Sequence, residues 1–350
     1  LPHQSAGPSS VISAIICAFG HQPHLHASVA ALSASQGVAV EVIVVDNGSP
    51  DCAGLPPEVL VVSPGGNLGF AGGCNRGAAH ASGDVVVFVN SDALVAPECL
   101  DLLAQRARAS QGLVGATILL ADEPDRVNSW GNPVQILGFS WAGGYGHPVA
   151  EVTGGPVASV SGAVFAVQRS VYWDLGGMDE AYFAYGEDVD LSLRAHLQNR
   201  PVEVVAEARA GHHYEFGRNA SKMYLLERNR LITVLTTYQA RTLIAVAPLL
   251  LAAETALLLR SRQEGWAGQK VAGWRWLASH RRYLRTRRNR LQGTRKVLDT
   301  ELLDTLVVPI DPPQRFGMSV SPRAQRLVTG YWELVGRRVA GLRSGHSRGA

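Results

Sequence analysis

The chain has 350 residues, 46% of them hydrophobic and 17% charged, with a formal net charge of +3 at pH 7. That length suits one large folded domain with an appendage, and so small a net charge gives no case for a nucleic-acid partner. None of the four cysteines (Cys17, Cys52, Cys74, Cys99) forms a CxxC pair, so neither a zinc knuckle nor a disulfide framework is indicated, and free thiols in a reducing compartment are the simple reading.

The first residues lack a basic stretch followed by an apolar run, so no secretory leader is read there. Residues 1–9 and about 340–350 are rich in Ser, Gly and Pro or Arg and read as poorly ordered tails. "VISAIICAF" (11–19) is short and β-branched, as a buried strand is. "HASVAALSAS" follows with helical spacing, and Pro23 is placed to open that helix. "VEVIVVDNGS" (40–49) and "DVVVFVNSDA" (84–93) are further buried strands ending in turn residues. Strand, helix and strand in succession predict a mostly parallel α/β sheet covered on both faces. Such sheets bind ligands beyond the carboxyl ends of their strands, where Asp46 and Asp92 both fall.

"PGGNLGFAGGCNRG" (64–77) is dense in glycine but is neither a Walker A loop nor a dinucleotide fingerprint. It reads equally as a loop that lets backbone amides approach a ligand and as a tight helix start. "SGAVFAVQRSVYWDLGGMD" (161–179) predicts a short strand, a helix and a glycine turn. In "YGEDVDLSLRAH" (185–196), Glu187 and Asp188 fall in the first turn of a predicted helix, where acids are favoured by the dipole. Asp190 and Arg194, four apart, can pair on its surface. By itself the segment is as well explained by capping as by catalysis. Asn90 and Asp92, two apart, can share a hard divalent cation with diphosphate oxygens and water. The His212–His213 pair offers a further ligand or a structural histidine, while "HQPHLH" (21–26) reads as a loop entering a helix.

Residues 242–259, "TLIAVAPLLLAAETALLL", approach the length of a membrane span but are interrupted by Pro248 and Glu254. From Arg260 to Lys296 the chain is basic, with Trp266, Trp274, Trp276 and Tyr283 interleaved. That mixture suits an interfacial helix on an anionic membrane, against the plainer reading of a helical hairpin with a solvated basic face. No nucleic-acid-binding fold accompanies it.

In order and spacing, "AIICAF", "VEVIVVDNGS", "NLGFAGGCNRG", "VFVNSDA", "SGAVFAV", "GGMDEAYFAYGEDVDLSLRA" and "RNRL" resemble the family 2 glycosyltransferases, rhamnosyltransferase-like members above all, over residues 11–235. The resemblance implies a GT-A fold over residues 10–235, a helical basic and apolar extension over 236–340, a nucleotide-diphospho-sugar donor and inverting transfer. It assigns donor contacts to Asp46, Asn47, Asn67, Gly69, Asn75, Asn90 and Ser91, and Mn²⁺ or Mg²⁺ to Asp92 and His212, with His213 the rival if the register slips by one. Asn90 replaces the first acid of the family's DxD motif, a departure that weakens the expected metal affinity. Asp188 would be the general base and Glu187 its neighbour near the acceptor. A helix-start Asp titrating well below neutral would be ionised at pH 7.

dTDP-rhamnose is the first expected donor and a UDP-sugar the second. The expected acceptor is a cell-envelope or lipid-linked saccharide, or a natural product. The expected location is the cytoplasm, peripheral to the inner membrane face. Two other functions stay open: a sugar-nucleotide pyrophosphorylase, which would want a basic glycine-rich loop where "CAFGHQPHLHAS" stands, and a non-catalytic membrane-associated scaffold keeping the same fold.

Overall fold

Each strand at the centre of the sheet is apolar on both sides, because both of its faces are covered. In β1 (Val11–Ala18), Ile12, Ala14 and Ile16 enter one core and Ile15 the other. β2 (Ala39–Asp46), β3 (Leu60–Val62) and β4 (Val85–Val89) extend the pattern, with Val85, Val87 and Val89 on one face and Val86 and Phe88 on the other. Each such side chain contributes about 1.5–3 kcal/mol by leaving water. The structure, a computed structural model, describes residues 11–213, 220–312 and 320–340. The tails expected at 1–9 and 341–350 lie outside the described residues.

The remaining strands are β5 (Ala93–Val95), β6 (Leu113–Leu120), β7 (Glu123–Ser129), β8 (Gly155–Pro156), β9 (Val164–Gln168) and β10 (Val202–His212). The sheet runs β3-β2-β1-β4-β9-β6-β10-β5, with β7 beside β6 and β8 beside β10. The first four strands are parallel, as the strand–helix alternation predicts. Beyond them the sheet is mixed: β9 runs antiparallel between β4 and β6, and β5 antiparallel to β10 at the end.

α1 (Leu25–Ser33) and α3 (Cys99–Ser110) cover one face; α2 (Gly69–His80), α4 (Arg169–Asp174) and α5 (Glu187–Leu197) supply the other core. Pro23 precedes the His24 cap of α1 instead of occupying its first turn. α2 lies close on β1 because its glycines permit it. A Cβ at Gly73 would strike Cys17 Sγ, and one at Gly77 would strike Ile15 Cγ2.

The chain divides into two compact units. The first comprises Leu1–Asn132, Ala142–Ala195 and Arg200–Glu215; the second comprises Pro133–Trp141, His196–Asn199 and Phe216–Ala350. The main segment of the second thus starts before residue 235, where the sequence suggests a boundary. It is helical: α6 (Ala220–Thr237), α7 (Ala240–Gln263), α8 (Ala267–Ser279), α9 (Arg281–Thr294), α10 (Asp299–Leu303), α11 (Pro322–Tyr331) and α12 (Arg337–Ala340). Part of its basic character is structural. Arg288 donates to Leu235 O and Tyr238 O, and Gln292 to Thr236 O and Thr237 O, so both satisfy carbonyls left open at the end of α6.

Candidate active site

β4 ends at Val89 and β5 begins at Ala93, so Asn90, Ser91 and Asp92 make the connection. The turn closes by Ala93 N–H donating to Asn90 O at 3.1 Å. Ser91 is buried, its hydroxyl donating to Gln22 Oε1 at 2.5 Å and its carbonyl accepting from Ser28 Oγ at 2.9 Å. The antiparallel register of β5 on β10 sets Ala93 opposite His212. His212 Nε2–H therefore reaches Asp92 Oδ1 at 3.0 Å, from an imidazole 6% exposed to a carboxylate 31% exposed. Of the two adjacent histidines, His212 is the one facing Asp92. The His213 ring is stacked on His24, centroids 3.8 Å apart.

Asn90 Nδ2 lies 3.4 Å from the same His212 nitrogen. That nitrogen already carries the proton given to Asp92, so the amide is better turned over to offer its oxygen. Once Nε2 gives up that proton its lone pair is free, and the donor set is a carboxylate oxygen, an imidazole nitrogen and an amide oxygen, a chemistry that suits Mn²⁺ or Mg²⁺. Among the described residues, no group of three or more His, Cys, Asp or Glu side chains gathers as a complete cage. A site of this kind fits a divalent cation whose shell is completed by a ligand and water.

Glu187 and Asp188 open α5. Asp188 Oδ2 accepts from Gly162 N–H at 2.9 Å, and Oδ1 from Val189 N–H at 2.8 Å. Burial raises the Asp188 carboxyl above its ordinary value, although these backbone donors oppose the rise. The helix-start position alone suggests a lower one. Glu187 is 6% exposed, and its Oε2 has no hydrogen-bond partner. Burial first, and the neighbouring Asp188 charge second, push its carboxyl up to about 8. The pair thus holds one proton near neutral pH, mainly on Glu187. Asp190 and Arg194 do pair, Nε to Oδ2 at 2.9 Å, but at 0% and 2% side-chain exposure they lie in the core and not on the helix surface. Tyr182 OH also donates to Asp190 Oδ1, at 3.2 Å.

One short stretch links the two halves of the site. Ala163 O accepts from Asn90 N–H at 2.8 Å, while the preceding Gly162 N–H holds Asp188. Gly162 and Ala163 were not singled out from the sequence as site residues, although "SGA" just before an apolar run was the signal available.

The remaining expected donor contacts form a frame. Asp46 Oδ1 accepts from Gly48 N–H and Ser49 N–H, both at 2.9 Å, and so shapes the turn after β2. Asn47 is buried, donating to Gly69 O at 2.8 Å. Asn67 Oδ1 accepts from Gly69 N–H at 2.8 Å, and Gly69 has φ +72°, which suits glycine. Asn75 donates to Met178 O at 2.8 Å and accepts from Met178 N–H at 2.9 Å, pinning the glycine turn before α5. The amides of Asn47 and Asn75 are thus taken up inside the protein, and the glycines of 69–77 serve close packing of α2.

Residues 13–176 match the family model described as glycosyl transferase family 2. Over 161 residues (42% of this chain, 12% of the relative) the chain is 33% identical to an O-antigen biosynthesis protein of Myxococcus xanthus. Over 218 residues (53% of this chain, 70% of the relative) it is 29% identical to the N-acetylglucosaminyl-diphospho-decaprenol L-rhamnosyltransferase of Mycobacterium tuberculosis. The crystal structure of GalNAc-T7 with UDP, GalNAc and Mn²⁺ superposes with a TM-score of 0.56 at 15% identity, over 69% of this chain and 51% of that one, a likeness of fold.

Proposed function

Residues 13–176 carry the glycosyl transferase family 2 match, and on that premise we propose that the chain is a family 2 glycosyltransferase that transfers a sugar, with inversion, from a nucleotide-diphosphate donor to a saccharide hydroxyl. The observation that carries this is the Gly162–Ala163 link, which ties the Asn90–Asp92–His212 group to the Glu187–Asp188 pair. One side offers donors for a diphosphate-bound cation; the other offers a base.

Inversion needs a single displacement. The acceptor oxygen bonds to the anomeric carbon, the bond from that carbon to the diphosphate oxygen breaks, and its electrons leave with the nucleotide diphosphate. Asp188 takes the acceptor's proton as this happens. The Gly162 and Val189 amides fix the direction of its carboxylate, and burial makes it a stronger base than an exposed Asp. Glu187, holding its own proton, does not compete for the acceptor's proton. Asp92 and His212 would hold Mn²⁺ or Mg²⁺, with Asn90 beside them; such a cation stabilises the charge that collects on the departing diphosphate. Asp46, Asn67 and Ser91 complete the donor side.

The name of the Mycobacterium relative supports L-rhamnose as the sugar and a diphospho-lipid-linked N-acetylglucosamine as the acceptor; we propose dTDP as the first carrier nucleotide, with a UDP-sugar second. We place this chemistry on the cytoplasmic side, where four unpaired cysteines stay reduced. The second unit is proposed to rest on an anionic membrane surface. Ile244, Leu251 and Leu259 of α7 are 66%, 71% and 54% exposed and recur at helical spacing, a stripe that also includes Pro248. Glu254 holds the other face of α7 to its own unit, bonded to Arg230, Lys270 and Trp274. Arg275, Arg281, Arg282, Arg285 and Arg290 are exposed on α8 and α9 and supply charge for acidic headgroups.

The test is a panel of nucleotide sugars with and without Mn²⁺, read first by thermal shift and then by transfer to an N-acetylglucosaminide. A donor that raises Tm and is consumed only with acceptor supports the reading. Nucleotide sugars that neither bind nor react, dTDP-rhamnose and UDP-sugars included, would overturn it.

A further inference from the structure

Two of the four residues before Glu187, Phe183 and Tyr185, have a backbone that their side chains do not favour. Phe183 has φ 64° and ψ −65°, Tyr185 φ 68° and Gly186 φ 83°. Ala184 N–H donates back to Tyr182 O at 2.7 Å, closing a three-residue turn of the rare positive-φ kind. Glycine occupies this region freely; bulky L-residues are strained in it. Burial does not repay the strain, since Phe183 and Tyr185 remain 38% and 39% exposed.

The turn is clamped from both sides. Phe183 O accepts from Ala71 N–H at 3.0 Å, at the start of α2. The Phe183 ring lies so close on Gly69 that a Cβ there would come within 2.6 Å of its Cδ2. Behind the turn, Tyr182 is fully buried, with its hydroxyl on Asp190. Two half-exposed aromatic side chains are therefore held on a rigid, strained turn, next in the chain to a buried carboxyl with one unpartnered oxygen and to a base. Strain that the surrounding structure holds in place points to a task.

We propose that Phe183 and Tyr185 form an aromatic platform that receives the sugar ring of the acceptor beside Asp188. The proposal rests on the glycosyl-transfer reading above. A pyranose presents a flat apolar C–H face and an edge of hydroxyls. The exposed rings suit the first, and Glu187 and Asp188 suit the second. Tyr185 is near enough to Glu187 for that carboxylate to help raise the Tyr185 hydroxyl's pKa, after burial. The chain flanking the turn carries Asp179 and Glu180, so a bare polyprenyl chain would meet charge where a saccharide meets hydrogen-bonding groups.

The probe is octyl β-N-acetylglucosaminide, used with the donor found in the panel and, separately, in saturation-transfer NMR without donor. Phe183→Leu and Tyr185→Leu keep apolar bulk and lose the ring face. Each is expected to raise the acceptor KM about 5-fold or more, as the loss of an aromatic contact does, and to weaken saturation of the sugar-ring protons while donor Kd is unchanged. Tyr185→Gly fits the backbone better, so its Tm should equal or exceed that of the native chain while its acceptor KM still rises. A purely structural role would move Tm and KM together. Wild-type KM and saturation in all three variants would overturn the platform, as would donor Kd rising in step with acceptor KM. If the native chain saturates the sugar ring but transfers nothing to it, the transferase reading fails and the platform stands.

Discussion

Asp92 Oδ1 and His212 Nε2 lie 3.0 Å apart although 120 positions separate them. The contact exists because β5 pairs antiparallel with β10, so its geometry is set by the sheet and not by a loop. On the proposed reading, His212→Ala removes one donor of a diphosphate-bound cation. It should raise the Mn²⁺ concentration needed for half-maximal transfer by about 10-fold or more. A titration of activity against Mn²⁺ at saturating donor checks this; an unchanged midpoint would remove His212 from the metal.

Asp188→Asn keeps the shape and an oxygen for the Gly162 amide but cannot take a proton. Transfer should fall by about 10²–10⁴-fold, while nucleotide binding, followed by thermal shift, survives. Substantial transfer by this variant would take Asp188 out of the base role.

Glu187 gives a pH signature. Its folded-state value, about 8, stands above the ordinary 4.5. The folded chain therefore binds the extra proton between the two. The contribution of this group to stability is complete below about 4.5 and is lost as pH rises through about 8. Glu187→Gln, neutral throughout, escapes that loss. Its Tm relative to the native chain should climb between pH 5 and pH 8 and level off above, in melts taken across that range. A difference that stays flat with pH would show Glu187 already ionised in the folded chain.

The buried Asp190–Arg194 pair predicts a different outcome. Asp190→Ala leaves the Arg194 guanidinium in the core without its carboxylate, which costs about 3–5 kcal/mol. Denaturant unfolding should show this loss in full. At temperatures where the variant stays folded, kcat should fall much less than in Asp188→Asn.

The α7 stripe can be tested by charge. Ile244→Glu combined with Leu251→Glu should abolish sedimentation with phosphatidylglycerol vesicles, and should change neither the melting transition nor transfer to a soluble acceptor. The native chain should bind these vesicles less as salt rises, and vesicles of neutral lipid should retain little of it.

The strands and the order of motifs were readable because apolar, β-branched runs end in Asp, Asn and Gly, a local signal. The Asp190–Arg194 spacing was readable too. Its burial was not, since that depends on Tyr182 and on packing against the second core. Nothing local announces that β10 returns beside β5, so His212 could be tied to Asp92 from sequence only by resemblance. The glycines at 69, 73 and 77 invite a ligand-loop reading because sequence shows a missing side chain but not the Phe183, Cys17 or Ile15 atom that takes its place. Phe183 and Tyr185 went unread for the opposite reason: their types argue against the backbone they adopt.

β5 is three residues long and ends the sheet, with β10 its neighbour in the strand order. Such an edge is among the first parts of a fold to open. It carries Asp92 at its entrance, while the strand it leans on ends in His212. Breathing of that edge and loss of the Asp92–His212 contact are thus one event. Whatever cross-links the two side chains also closes the strand, so amide exchange at Ala93 and His213 should slow when donor and cation are present, and occupancy of the site can be followed by deuterium uptake at this edge.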